Sequence, residues 1–279
     1  ACAFIANTAS VILPVSNPVN LLAVDKFNLV LSEYLKYLLI PAIIAILVNV
    51  AFFFIWFRKD VSSHFKGYEP EEPVRIDAFF LFVCFGLLLV AAGYLVSSIY
   101  GLPLSLAAMG GAAFLLIGSF TVRRIKFNEV VSSVSWSIFP FIFSLAVLVK
   151  GLDNVGITRI LGEYLAGLAS RGAFSAIMLT AFGNAVGANL INNWSMMMVS
   201  VSSLGAVADP VQSSQHVLIY ATILGNDLGP NITIFGSLSS ILWLLILRHN
   251  GIFISPRQYI KLGLLVTLPM LFLGALALY

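Results

Sequence analysis

The side chains best able to do chemistry lie inside the most apolar stretches of this chain. From His216 to Leu247 the sequence reads HVLIYATILGNDLGPNITIFGSLSSILWLLIL, with Asp227 its single carboxylate and no Lys or Arg before Arg248. Around the acid stand Gly225, Asn226, Gly229, Pro230 and Asn231, followed by Thr233 and Ser237. A second polar group, Asn7, Thr8, Ser10, Ser16 and Asn17, interrupts the first apolar segment, and a third, Asn192-Asn193, divides a charge-free run. Amides and hydroxyls both donate and accept hydrogen bonds, and an ionised carboxyl only accepts. Such groups suit a small hydroxylated solute or an ion. Burial disfavours the charged form of a carboxyl, which makes Asp227 the candidate proton-coupling group. Asp227 acting instead as a cap for the half-helix after Pro230, or as the partner of a basic residue, is the competing reading.

These groups must sit at interruptions of helices. Glycine is conformationally free, and proline removes a backbone donor and clashes one turn back, so Gly225–Asn231 is expected to break the helix. Inside a bilayer, freed backbone groups are tolerated only against protein or a polar cavity. Discontinuous helices near the midplane, with an acid at the break, are a common build of transport sites.

The composition demands a membrane. Of 279 residues, 60% are hydrophobic and 10% charged, against roughly 25% charge in a soluble domain. Leu38–Phe57, Ala78–Ser98, Leu104–Val122 and Ile260–Leu278 have spanning length, and Ser135–Val149 is a short span. Residues 1–57 form a broken helix plus one span, with a polar link holding Asp25, Lys26, Glu33 and Lys36. Residues 58–77 form a cytoplasmic loop, and 78–279 a second unit. Basic residues in 58–77, 123–129 and Arg248–Lys261, against none in the turn at Tyr100, place those loops in the cytoplasm and the C-terminus outside.

Residues 173–204 read as a re-entrant hairpin, one arm ending near Ile191 and the other starting at Trp194. The second arm gives roughly 16 Å of helix, half a bilayer. The broken helix of 216–247 then crosses inward. Other polar residues have structural readings: Asn49 as an interhelical bond, Asn184 and Asn189 as backbone partners within the hairpin, Lys150 as a snorkelling anchor, Met196–Met198 as packing, and Arg159 with Glu163 as an i,i+4 pair.

Catalysis finds little support. His64, His216 and His249 lie in loops or at segment ends, Cys2 and Cys84 are far apart, and no phosphate-binding loop occurs. The sequence gives no catalytic residue, metal site or cofactor, and its net charge of +3 is spread over short loops, which argues against nucleic acid. The chain opens on an apolar segment without an initiator Met, and a truncated first half is expected.

Ala6–Ser10 can be laid on Gly225–Gly229, and Ser16-Asn17-Pro18 on Phe235-Gly236-Ser237. The fold expected is therefore an all-α polytopic membrane protein: an inverted-repeat transporter with broken helices and a re-entrant hairpin, its first repeat incomplete. Leu224–Thr233, Phe235–Leu238 and Ile241-Leu242-Trp243 resemble the signature of arsenical pump membrane proteins, arsenite and antimonite efflux permeases of the ion transporter superfamily. Phe4–Ser10, Val15-Ser16-Asn17, Phe57–Asp60 and Leu152–Gly156 fit the same family. The resemblance implies five spans plus a hairpin in each half, with substrate between hairpin tips and broken helices; here the first hairpin lies outside the chain. It implies arsenite or antimonite as substrate, protons as coupling ion and the plasma membrane as location. A separate ATPase subunit and a homodimer are partners it leaves open.

Arsenite near neutral pH is mainly a neutral trihydroxide that needs hydrogen bonds rather than a countercharge. The candidate binding residues are Asn7, Thr8, Ser10, Ser16, Asn17, Asn192, Asn193, Asn226, Asp227, Gly229, Asn231, Thr233 and Ser237. Trapping arsenic through sulfur would need about three thiolates together, which two distant cysteines cannot supply. Pro18 stands where carboxylate carriers have Thr, against a dicarboxylate. A sodium/proton antiporter, a carboxylate or silicate carrier, and an intramembrane enzyme are the alternatives.

Overall fold

A computed structural model describes residues 2–61, 76–122, 125–134, 136–206 and 216–279. Most of the polar 58–77 loop, and Arg123 and Arg124, lie outside the described residues. All regular structure among the described residues is helical. Among the described residues, six stretches are long and apolar enough to cross a membrane. The chain divides into two compact units, Ala1–Val61 with Phe141–Tyr279, and Ser62–Pro140.

The smaller unit is built on a helical hairpin. Label α1 is given to Cys2–Ala9, α2 to Asn20–Phe27, α3 to Leu31–Trp56, α4 to Arg58–Val61, α5 to Ala78–Ile99 and α6 to Leu104–Thr121. Asp77 accepts from the Phe80 N–H at 2.8 Å and so caps α5. Gly101 has φ +65, which closes the turn to α6. Gly86, Gly111 and Gly118 face Leu115, Val90 and Phe82 across the pair, closer than a Cβ would allow. The outward side chains are large and apolar, such as Leu88 and Ile117, as a lipid-facing surface requires. Short α7, Phe127–Ser133, completes this unit.

The larger unit contains α1–α4 and the remaining helices: most of α8 (Ile138–Asn154), α9 (Ile157–Arg171), α10 (Ala173–Ile191), α11 (Asn193–Gly205), α12 (His216–Leu228), α13 (Leu238–His249) and α14 (Pro256–Leu278). Its core is the packing of α3 on α14 and of α10 on α12, with α9 and α11 against α10. Arg159 and Glu163 pair on the exposed face of α9 at 2.8 Å.

Several boundaries differ from the expectation. The span expected from Leu38 begins at Leu31, and Asp25 and Lys26 lie on α2, so the polar link shrinks to a left-handed turn at Asn28, φ 50. Tyr34 and Leu38 bury one side of α3's first turns, and Glu33 and Lys36 ride on the helix. Arg257 and Lys261, expected in a loop, are already in α14.

The largest correction concerns Asp227. Gly225, Asn226 and Asp227 are helical, and α12 ends only at Leu228. The missing N–H of Pro230 would have donated to residue 226, so the chain need leave the helix only from there. Gly225 and Gly229 instead serve close packing. A Cβ on Gly225 would lie 2.1 Å from the Ala181 carbonyl oxygen, and one on Gly229 2.4 Å from Ala185 Cα. Gly225 on α12 and Gly229 in the turn that follows it thus meet Ala181 and Ala185, small residues four apart on α10, a usual means of bringing membrane helices together.

Candidate functional site

Two broken segments meet in the larger unit. In the first, α1 ends at Ala9, a 3₁₀ turn covers Pro14–Ser16, and α2 starts at Asn20. In the second, α12 is followed by 3₁₀ turns at Gly229–Asn231 and Ile234–Gly236, then α13. Their last turns correspond. Leu13 (φ −127, ψ 140) matches Thr233 (φ −121, ψ 158), and Asn17 (φ −133, ψ 119) matches Ser237 (φ −140, ψ 141). Asn17 Oδ1 accepts from Val19 N, and Ser237 Oγ accepts from Ser239 N. This pairs Asn17 with Ser237, one residue from the sequence alignment. α1 packs on α13 and α2 on α12, so the first half of each segment meets the second half of the other.

Asp227 lies at this meeting, 1% exposed. Its two oxygens accept from two side-chain amides: Asn17 Nδ2 to Oδ1 and Asn20 Nδ2 to Oδ2, each at 2.6 Å. Its partners are neither a basic residue nor the N-terminus of α13, where Ser237 is the cap. Asn20 Nδ2 also donates to the Tyr34 hydroxyl at 3.3 Å. Two short amide donors suit an acceptor-only carboxylate.

A second network joins the other halves. Asn7 Nδ2 donates to Asn231 Oδ1 at 3.2 Å and to Ser240 Oγ at 3.4 Å, and Ser237 Oγ donates to Asn7 Oδ1 at 3.4 Å. Asn231 Nδ2 and Asn49 Nδ2 both donate to Thr8 Oγ1, at 3.3 and 2.8 Å. The Tyr259 hydroxyl donates to Ser240 at 3.0 Å, and Ser10 Oγ donates to the Asn7 carbonyl at 2.6 Å. Asn49 thus makes the interhelical bond expected of it.

The tip between α10 and α11 leans on the second break. Asn192 takes φ +73, a conformation unusual for a residue with a side chain. Its Oδ1 caps Trp194 N and its Nδ2 donates to the Phe235 carbonyl at 3.0 Å. Asn226 Nδ2 donates to the Asn193 carbonyl at 3.0 Å. Asn189 does more than the local bonding expected of it. Beyond its bond to the Ala185 carbonyl, Nδ2 donates to the Gly229 carbonyl at 2.7 Å, and Oδ1 accepts from Thr233 N and Oγ1, both at 2.8 Å. Asn184 bonds the Thr180 carbonyl within its helix and accepts from Ser200 on α11.

Of the expected residues, all but Ser16 enter these networks; its side chain is exposed. Sequence reasoning missed Asn20, Tyr34, Ser240 and Tyr259. Asn20 was detectable only as a further amide in the same polar interruption, three residues after Asn17. Three buried amide oxygens, Asn20 Oδ1, Asn193 Oδ1 and Asn226 Oδ1, have no hydrogen-bond partner. Buried acceptors without a partner are rare in folded proteins, and each calls for a physical reason.

The family model described as arsenical pump membrane protein matches residues 1–279. The arsenical pump membrane protein of Escherichia coli (strain K12) is 34% identical over 284 residues, covering 100% of this chain and 66% of that protein. The protein of the same name from Yersinia enterocolitica gives the same identity and coverage. An uncharacterised transporter of Synechocystis sp. is 26% identical over 295 residues, covering 98% of this chain and 65% of its own length. The chain thus spans slightly less than two thirds of the curated relatives it matches.

Proposed function

The chain belongs to the arsenical pump membrane protein family, and from that premise we propose that it forms the greater part of a plasma-membrane permease. The permease exports arsenite or antimonite as the neutral hydroxide and takes up protons in exchange. The observation that carries this reading is Asp227, buried where two broken segments cross and held by amides of the opposite segment. An uncharged trihydroxide presents three O–H donors, and the unpartnered oxygens of Asn20, Asn193 and Asn226 are acceptors of the required kind. Asp227 carries the coupling proton. When protonated, its hydroxyl can donate rather than accept, which changes what the crossing offers to substrate.

The matched turns at Leu13–Asn17 and Thr233–Ser237, with each segment's halves crossing the other's, support an inverted repeat. In this reading α10 and α11 form a re-entrant hairpin whose tip at Asn192-Asn193 faces the substrate. The loops at 58–77 and 123–129 are cytoplasmic and the C-terminus lies outside. Within the α10–α12 assembly, Asn184 and Asn189 have a bracing role.

The test uses the full-length protein in an arsenite-sensitive host, with arsenite accumulation measured in the presence and absence of a proton gradient. Asp227→Asn keeps the size of the side chain and removes the titratable group. It is expected to insert normally and to abolish proton-driven export. Undiminished arsenite resistance in that variant removes the coupling role, and absence of arsenite transport by the wild type removes the substrate assignment.

A further inference from the structure

A second cluster of titratable groups lies outside the crossing. Glu33 Oε1, in the first turn of α3, is 3.3 Å from Nε2 of His216, the first residue of α12. The two side chains are 34% and 17% exposed, so the pair is partly open to solvent through Glu33, while His216 Nε2 itself is buried without a hydrogen bond. Behind it the tyrosines are packed ring to ring. Tyr37 stacks on Tyr220 at 4.5 Å, His216 lies 5.5 Å from the Tyr220 ring, and Tyr220 meets Tyr34 edge-on at 6.5 Å. Tyr34 and Tyr220 are fully buried, and the Tyr220 hydroxyl has no hydrogen-bond partner. The Tyr34 hydroxyl then meets Asn20, which holds Asp227.

The geometry points to this column, Glu33–His216, Tyr220, Tyr34 and Asn20, as the route by which protons reach Asp227 from one face of the membrane. The inference rests on the proton-coupled reading above. Along α12, Tyr220 lies one turn in from His216, and Asp227 about 10 Å further. Tyr34 covers that interval, its ring against Tyr220 and its hydroxyl on the clamp. Between apolar walls such as Ile219, Ile223 and Leu224, these are polar groups that can hold bridging water. His216, beside Glu33 Oε1, is the outer station that takes up a proton. It passes that proton to water in the column, and water delivers it to the Asp227 carboxylate. Only N–H and O–H bonds form and break. The far end is suited to both states of the acid. Asn20 Oδ1 is free, so a turn of the amide lets it accept from a protonated Asp227 while the Tyr34 hydroxyl donates to it. The titratable groups facing His216 among the described residues are Glu33 and Tyr37 of α3 and Tyr220 of its own helix, with Lys36 Nζ 5.5 Å from the Tyr37 ring.

Full-length protein in proteoliposomes separates a proton route from a structural brace. Radiolabelled arsenite is followed in two modes, uptake driven by an imposed pH gradient and arsenite–arsenite exchange at equal pH. Exchange does not require net proton movement. Tyr220→Phe removes an unpartnered hydroxyl and keeps the ring; Glu33→Gln and His216→Gln remove the outer pair. Each is expected to slow driven transport about tenfold, below the full contribution of a positioned proton-transfer group because water alone still leaks protons in. The deficit should grow as pH rises on the His216 side, with exchange unchanged. Equal loss of both modes, or driven transport equal to wild type at every pH in all three variants, overturns the route. Wild-type protein that exchanges arsenite but ignores the gradient overturns the coupling reading itself, a result read before any variant is made.

Discussion

Asn20→Ala is the most informative perturbation of the crossing, because this residue was absent from every sequence-derived candidate set. The substitution removes the Nδ2 donor that meets Asp227 Oδ2 at 2.6 Å and the weaker bond to the Tyr34 hydroxyl at 3.3 Å. A hydrogen bond to a charged acceptor contributes about 1.5–3 kcal/mol, whereas neutral interhelical bonds in membrane proteins average about 0.6 kcal/mol. Losing both bonds should therefore cost about 2–3 kcal/mol. With Asp227 replaced by Asn, the same substitution should cost only about 1 kcal/mol, since the acceptor is then neutral. The double-mutant cycle of Asn20→Ala with Asp227→Asn should yield a coupling of about 1–2 kcal/mol. The assay is reversible unfolding of the purified full-length protein by mixed-micelle titration, on all four proteins. A coupling below about 0.3 kcal/mol, within ordinary additivity, would refute a charge-assisted bond between the two residues.

Two further outcomes follow from the packing. Gly225→Val places carbon where the Ala181 carbonyl oxygen lies 2.1 Å from the ideal Cβ. It should lower folded protein in the membrane through an overpacking cost of about 1–3 kcal/mol or more. Gly183→Ala, with nothing within 4 Å, should leave abundance unchanged; equal losses in the two variants would contradict the α10–α12 contact. Asn189→Ala removes the partner of the Thr233 N–H, while the Gly229 carbonyl keeps its bond from Ile232 N at 3.0 Å; a buried, unpaired backbone donor costs about 1–3 kcal/mol. Hydrogen exchange at the Thr233 amide should accelerate strongly, and an unchanged rate there would show that Asn189 does not hold the break.

The sequence by itself determined where polar chemistry could survive. A long apolar run leaves the chain only a helix inside a bilayer, so Ala78–Ile99 and Leu104–Thr121 were legible almost to the residue. The boundary between Ala173–Ile191 and Asn193–Gly205 was equally legible, because two adjacent amides interrupt the apolar run there. Local rules also read the polar interruptions, since glycine, proline and asparagine act on neighbouring residues. Those rules misplaced the second break. Gly225 looked like a breaker, but its lack of a side chain serves the approach to Ala181, a contact no local pattern contains. Tertiary structure alone decided which amides meet Asp227. Asn17 and Asn20 are more than 200 residues away in sequence, and only the crossing of two broken segments brings them within bonding distance. It likewise turned Asn189 from a local backbone partner into the brace of Gly229 and Thr233. A buried donor or acceptor must find a partner, but sequence states only that need; the packing of helices supplies the partner.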